Sequence, residues 1–219
     1  MNIKKILLIV TLIGMTPQAW SQGAFRFGSD ERAGNWDFSL ATIYQDSEII
    51  MGPGDLTLDI KDRWGFGFNF GYNFTNHLAL SFEFDFVSPS YELSGTDEDG
   101  DFRTISHRMD MFNGLLKGTY NLLSGPITPF IDLSIGFSYT DSNIKDGPSY
   151  CYPDWYWGWA CYSSSHDDTN LNYGGGLGLR WDIIRDMFMR ASYSIMKLNI
   201  SGTSDPEFGV GRLEFGWKY

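Results

Sequence analysis

Between Trp64 and Phe74 an aromatic ring stands at every even position, six in all, while the odd positions hold only Gly and Asn. Alternation with period two is the signature of a strand with one apolar face. Six successive rings on one strand are hard to pack against a facing sheet, whereas lipid makes no such demand. The same alternation recurs along the chain. Leu78, Leu80, Phe82, Phe84 and Phe86 alternate with Ala79, Ser81, Glu83 and Asp85. Ile131 to Tyr139, Leu171 to Trp181, Met187 to Ile195 and Leu213 to Tyr219 follow the same pattern. Trp36, Phe38, Leu40 and Tyr44 share one face of an earlier strand. Met109 to Tyr120 is the weakest segment, with Phe112, Leu116 and Tyr120 outward. These segments predict eight strands, an even number that returns both ends of the chain to one side.

The links alternate in length. Short ones fall near Phe74–His77, Asn121–Thr128 and Asp182–Asp186, and long polar ones near Gln45–Asp62, Ser88–Ser106, Asp141–Thr169 and Ser201–Glu207. Short periplasmic turns and long outer loops are the asymmetry of an outer-membrane barrel. Aromatics fall where interfacial belts belong: Trp36, Phe74, Tyr120, Trp181, Trp217 and Tyr219 toward the periplasm, and Tyr44, Trp64, Phe86, Tyr139 and Tyr173 toward the outside. An unpaired backbone amide in hydrocarbon costs several kcal/mol, so the sheet must close. The expected fold is all-β, an eight-stranded antiparallel transmembrane barrel over residues 35–219. A soluble lipocalin-like barrel would turn the apolar face inward. The terminal aromatic and the loop asymmetry argue against it.

The first 21 residues change the compartment. Lys4 and Lys5 precede a nearly unbroken apolar run, Ile6 to Met15, followed by the small-residue pattern Ala19-Trp20-Ser21. This reads as a cleavable signal peptide over 1–21, the run being about half of what a membrane-spanning helix needs. Residues 22–34 would form a short periplasmic segment. Without Lys4 and Lys5 the balance is 14 basic to 27 acidic residues, a net of −13 against −11 for the whole chain. Nucleic acid is excluded as a partner on that charge. The expected location is the outer membrane of a Gram-negative cell, in contact with lipid and lipopolysaccharide.

Inward-facing positions bear on transport. Lys117, Asp132 and Arg180 lie on three successive strands near their turns, and Asp37 would face Lys218 where the last strand closes on the first. Lumen ion pairs are expected to plug this end, because an eight-stranded interior is only wide enough to be filled by side chains. Toward the outside the inward set turns apolar: Met111, Leu115, Met196, Leu198, Phe208 and Val210. Unbranched methionines adapt to irregular partners, so this set reads as a hydrophobic gully or as simple packing of the barrel top.

Cys151 and Cys161 bracket a segment containing Trp155, Tyr156, Trp157 and Trp159. An exported compartment favours a disulfide here, which would staple the third outer loop and display its rings. Such a loop packs on itself, covers the mouth, enters the outer leaflet or meets a partner. Asp97 to Asp101 begins like a calcium loop but lacks the later glycine and the terminal Glu, which favours a solvated charge run. His77, His107 and His166 form no nucleophile–base–orienter set at the level of sequence. No enzyme, cofactor or metal site is expected.

The final stretch, Arg212-Leu-Glu-Phe-Gly-Trp-Lys-Tyr219, resembles the C-terminal assembly signal of outer-membrane barrels, with aromatics at the last and third-from-last places and Glu214 where Gly is usual. That resemblance implies recognition by the barrel-assembly machinery. Three stretches, Asp62 to Leu80, Pro129 to Tyr139 and Gly174 to Asp182, resemble the OmpW family of eight-stranded barrels. The likeness extends in order over most of the mature chain. The long cysteine-containing loop and the start of the mature chain depart from it. Resemblance to that family implies passage or binding of small hydrophobic molecules with lateral release into the membrane. The alternative is a surface interaction barrel, OmpX-like, that uses the stapled aromatic loop.

Overall fold

The computed structural model describes residues 32–52, 56–96, 101–145, 150–154, 158–162, 165–199 and 205–219. The expected signal peptide lies outside the described residues. Eight long strands form the closed barrel: β1 (Trp36–Gln45), β4 (Arg63–Asn73), β5 (Leu78–Val87), β8 (Asp110–Asn121), β9 (Ile127–Lys145), β12 (Ser165–Ile184), β13 (Met187–Asn199) and β14 (Glu207–Lys218). Each pairs antiparallel with its neighbours, and β14 closes on β1. Every seam is hydrogen-bonded along the wall, with one register shift at the lower end of β12 and another at its upper end.

Burial follows the alternation. Phe66 is 65 %, Phe82 53 % and Leu133 75 % exposed, while Glu83, Asp85 and Asp132 on the same strands are buried. The wall therefore presents apolar side chains outward and polar ones inward. In water this arrangement would be costly, and in a bilayer it is the stable one. Phe112, Leu116 and Tyr120 of the weakly patterned β8 also face outward, and Met111, Leu115 and Lys117 inward.

The long polar outer connections carry strands of their own. They contain β2 (Glu48–Met51), β3 (Thr57–Ile60), β6 (Ser90–Thr96) and β7 (Phe102–Arg108), which form one sheet in the order β2-β3-β6-β7. The central seam joins Ile60 to Tyr91 and Leu58 to Leu93, residues from two different connections. A hairpin, β10 (Tyr150–Asp154) and β11 (Gly158–Tyr162), occupies the third connection. These short strands pair with each other rather than extending single barrel strands, so their backbone groups are satisfied above the wall.

Candidate functional site

Just before β1 the chain turns at Gly34, whose φ of +80° is the left-handed conformation glycine adopts freely. That turn folds Arg32 back beneath the barrel, where it is fully buried. Its guanidinium donates to Asp182 Oδ2 at 2.7 Å, to the Asn76 carbonyl at 3.2 Å, to the Leu123 carbonyl at 3.1 Å and to the Gly125 carbonyl. One side chain thus ties the β4–β5 and β8–β9 turns to the end of β12. Within a segment expected only to hang in the periplasm, this residue closes the floor.

Above Arg32 the ion pairs run as one connected chain. Asp182 also meets Arg180 at 3.1 Å and Lys218 at 3.3 Å. Arg180 bridges to Asp37 at 2.6 Å, and Asp37 accepts from Arg190 at 3.1 Å. Arg190 approaches Glu214 at 3.9 Å, which accepts from Ser39 at 2.7 Å and from Arg212 at 3.1 Å. Arg212 contacts Asp85 and lies 3.7 Å from Glu83. Lys117 then joins Glu83 at 2.8 Å to Asp132 at 3.8 Å. Six carboxylates and six cations take part, all nearly inaccessible, so the formal charges of the network cancel among the described residues. Phe188 fills the space between Arg180 and Arg190, whose Cζ atoms lie 4.2 and 5.1 Å from its ring centre. Gly216 leaves that ring its room, since a Cβ there would collide with it.

All five residues expected to form lumen pairs lie in this network, with partners the sequence did not specify. Asp37 and Lys218 are opposite in register, yet their side chains diverge, Asp37 to the two arginines and Lys218 to Asp182. Arg32, Glu83, Asp85, Asp182, Arg190, Arg212 and Glu214 complete the set of twelve.

A band of amides overlies the charges. Asn113 Oδ1 accepts from Ser138 at 2.7 Å and from Asn172 at 3.4 Å, and Asn172 also reaches the Met196 sulfur at 2.9 Å. Gln45 donates toward the Met111 sulfur at 3.8 Å. Then the interior turns apolar. Ile43, Val87, Met111, Met196, Leu198, Phe208 and Val210 pack with Ile60, Tyr91 and Met109 from the outer connections. Between wall and roof lies a cavity of about 160 Å³.

Its apolar lining is Ile50, Leu58, Ile60, Met109, Met111, Leu198, Pro206 and Phe208, and its polar side is Thr140, Ser142, Asp168 and Asn170. Of the six expected gully residues, Met111, Leu198 and Phe208 line the cavity directly. Met196 and Val210 belong to the same apolar cluster, and Leu115 lies lower, opposite Glu83. The roof residues were missed by the sequence reading. Tyr91 anchors that roof, its hydroxyl donating to the Ser142 carbonyl at 3.1 Å, and burial pushes its phenol pKa up. On the outer sheet Lys61 donates to Asp59 at 2.6 Å, a bond that raises the ammonium pKa.

Cys151 and Cys161 stand opposite each other in the β10–β11 hairpin. Their side chains, the side chain of Trp159, and Trp155, Tyr156 and Trp157 altogether, lie outside the described residues, as does most of the Asp97–Asp101 turn. Among the described residues no cluster of three or more His, Cys, Asp or Glu could hold a metal ion.

A closed eight-stranded barrel with lipid-facing rings and a polar lumen defines an integral outer-membrane protein. Residues 6–219 match the family model of the outer membrane protein beta-barrel domain, and the chain belongs to that family. No curated protein matches in sequence. Among solved structures, the chain is similar to Ail, the attachment invasion locus protein of Yersinia pestis, determined with the heparin analogue sucrose octasulfate. Identity is 16 %, the TM-score is 0.49, and coverage is 85 % of this chain and 99 % of that one. OprG from Pseudomonas aeruginosa is 13 % identical at a TM-score of 0.49, covering 86 % and 97 %. The outer membrane protein AlkL is 13 % identical at 0.47, covering 94 % and 96 %.

Proposed function

We propose that this barrel binds small hydrophobic molecules in a gully at its outer mouth, in the manner of the OmpW family it resembles, and does not conduct through a water-filled lumen. The observation that supports this reading is the apolar cavity seated over a neutral, interlocked set of ion pairs. Apolar surface around a cavity favours apolar ligands, and a filled eight-stranded interior leaves no wide water path. The continuous pairing of the seams means that lateral release, which the resemblance implies, takes place above the last paired residues, near Gln45, Val210 and Lys197.

The test is binding of toluene to the protein in lipid nanodiscs, with empty nanodiscs subtracted. Saturable binding that Met111→Asn and Leu198→Asn abolish supports the gully. Binding indistinguishable from lipid partitioning overturns it.

A second reading rests on the β10–β11 hairpin. Directly opposed antiparallel residues have Cα atoms about 4.5–5.5 Å apart, within the span of a disulfide. Oxidation of Cys151 and Cys161 would stiffen a hairpin displaying Trp155, Trp157 and Trp159 toward a surface partner. Replacing those three with Ala should abolish surface attachment and spare toluene binding. Export by the leader, insertion through the C-terminal strand by the barrel-assembly machinery and contact with lipopolysaccharide belong to either reading.

A further inference from the structure

The cavity is two-sided, and its polar side is not distributed at random. Thr140 and Ser142 sit two residues apart on β9, and Asp168 and Asn170 two apart on β12, so each pair shares the inward face of its strand. Asp168 is paired in register with Thr140, which gathers the polar groups into one patch. The opposite side is apolar throughout, supplied by β8, β13, β14 and the roof. A wholly apolar ligand would face the charge of Asp168 with nothing to offer it, and a wholly polar one would waste the rest of the lining.

Size and charge narrow the ligand further. A protein cavity of about 150 Å³ lined by aliphatic and aromatic side chains takes up benzene, so about 160 Å³ suits one ring or a short chain. Asp168 accepts from the Thr169 amide and from Asn170 Nδ2, both at 2.9 Å and both neutral, and among the described residues no cation pairs with its charge. Of the nearby cations, Lys197 is engaged with Glu207 at 3.0 Å and Lys61 with Asp59 and Glu92, while Arg108 acts on Asp110. The polar side of the cavity therefore carries the negative charge of Asp168.

We infer that the cavity takes single-ring or short-chain amphiphiles whose head donates hydrogen bonds, with a primary ammonium held best and a carboxylate refused. The inference rests on the gully reading and adds the chemistry of the head. The ring lies against Met111, Leu198 and Phe208, and the head faces Asp168 and Thr140.

The test is calorimetric titration of the full protein in nanodiscs at neutral pH with benzylamine, benzyl alcohol, toluene and benzoate, each corrected for empty nanodiscs. Exposed charge pairs contribute modestly, so benzylamine should bind about two- to fivefold more tightly than toluene, and benzoate most weakly. In Asp168→Asn the ratio of benzylamine to toluene affinity, both measured on the variant, should fall to about one. Equal binding of benzoate and benzylamine, or a benzylamine preference that survives Asp168→Asn, overturns this inference and leaves the apolar gully standing. Failure of all four probes overturns both.

Discussion

At the periplasmic floor Arg180 lies 2.6 Å from Asp37 and 3.1 Å from Asp182, and Arg32 seals the turns beneath them. At the outer mouth Met111, Leu198 and Phe208 surround empty volume under a roof of Ile50, Leu58 and Ile60. The same eight strands build both regions, with the same outward face. The floor is held by charges removed from water, each dependent on a specific partner. The mouth is held by non-directional contacts that tolerate a change of neighbour. A region of the first kind resists rearrangement, and one of the second kind accommodates a guest.

Breaking the floor should have the largest effect. Arg180→Met leaves Asp37 and Asp182 short of a cation in a buried site, a loss of about 3–5 kcal/mol, read by urea unfolding in lipid vesicles. Adding Asp37→Asn should recover part of it, since the two residues act as a pair. The wall between floor and mouth comes next. Leu133→Arg places a charge on the lipid face at mid-height and should cost about 2–4 kcal/mol in the same assay. Arg32→Ala should cost less, about 1–3 kcal/mol, because Asp182 keeps Arg180 and Lys218. It should also speed proteolytic removal of the segment preceding β1. Met111→Asn should abolish toluene binding while costing the least stability of the four, about 1 kcal/mol for one amide among apolar neighbours. An equal effect of Met111→Asn on stability and binding would erase the distinction between the two regions.

Much of this was legible in the chain. The rings from Trp64 to Phe74 and the acids Glu83 and Asp85 declare opposite faces, because a period of two allows only two and lipid decides which is apolar. The turns near His77, Asn121 and Asp186 were equally plain. The pairing inside the lumen was not. Register sets Asp37 against Lys218, yet long side chains reach diagonally, and a sequence does not say which of several cations an acid will meet. The roof was hidden for a different reason. Ile50, Leu58 and Ile60 sit in four-residue strands, too short for alternation to register, and β3 pairs with β6 from another connection. Arg32 gave no signal, being one of four charges (Arg26, Asp30, Glu31 and Arg32) in a short segment without periodicity.

The claim that the apolar mouth receives ligands while the rest of the barrel does not is open to one direct measurement. Methionine methyl groups labelled with carbon-13 report on the mouth through Met109 and Met111, and on the periplasmic end of the wall through Met187 and Met189. On titrating toluene into the protein in nanodiscs, the signals of Met109 and Met111 should shift and saturate, while those of Met187 and Met189 stay in place. Parallel, unsaturated drift of all four would mean that toluene merely dissolves in the surrounding lipid, and the binding account would be wrong.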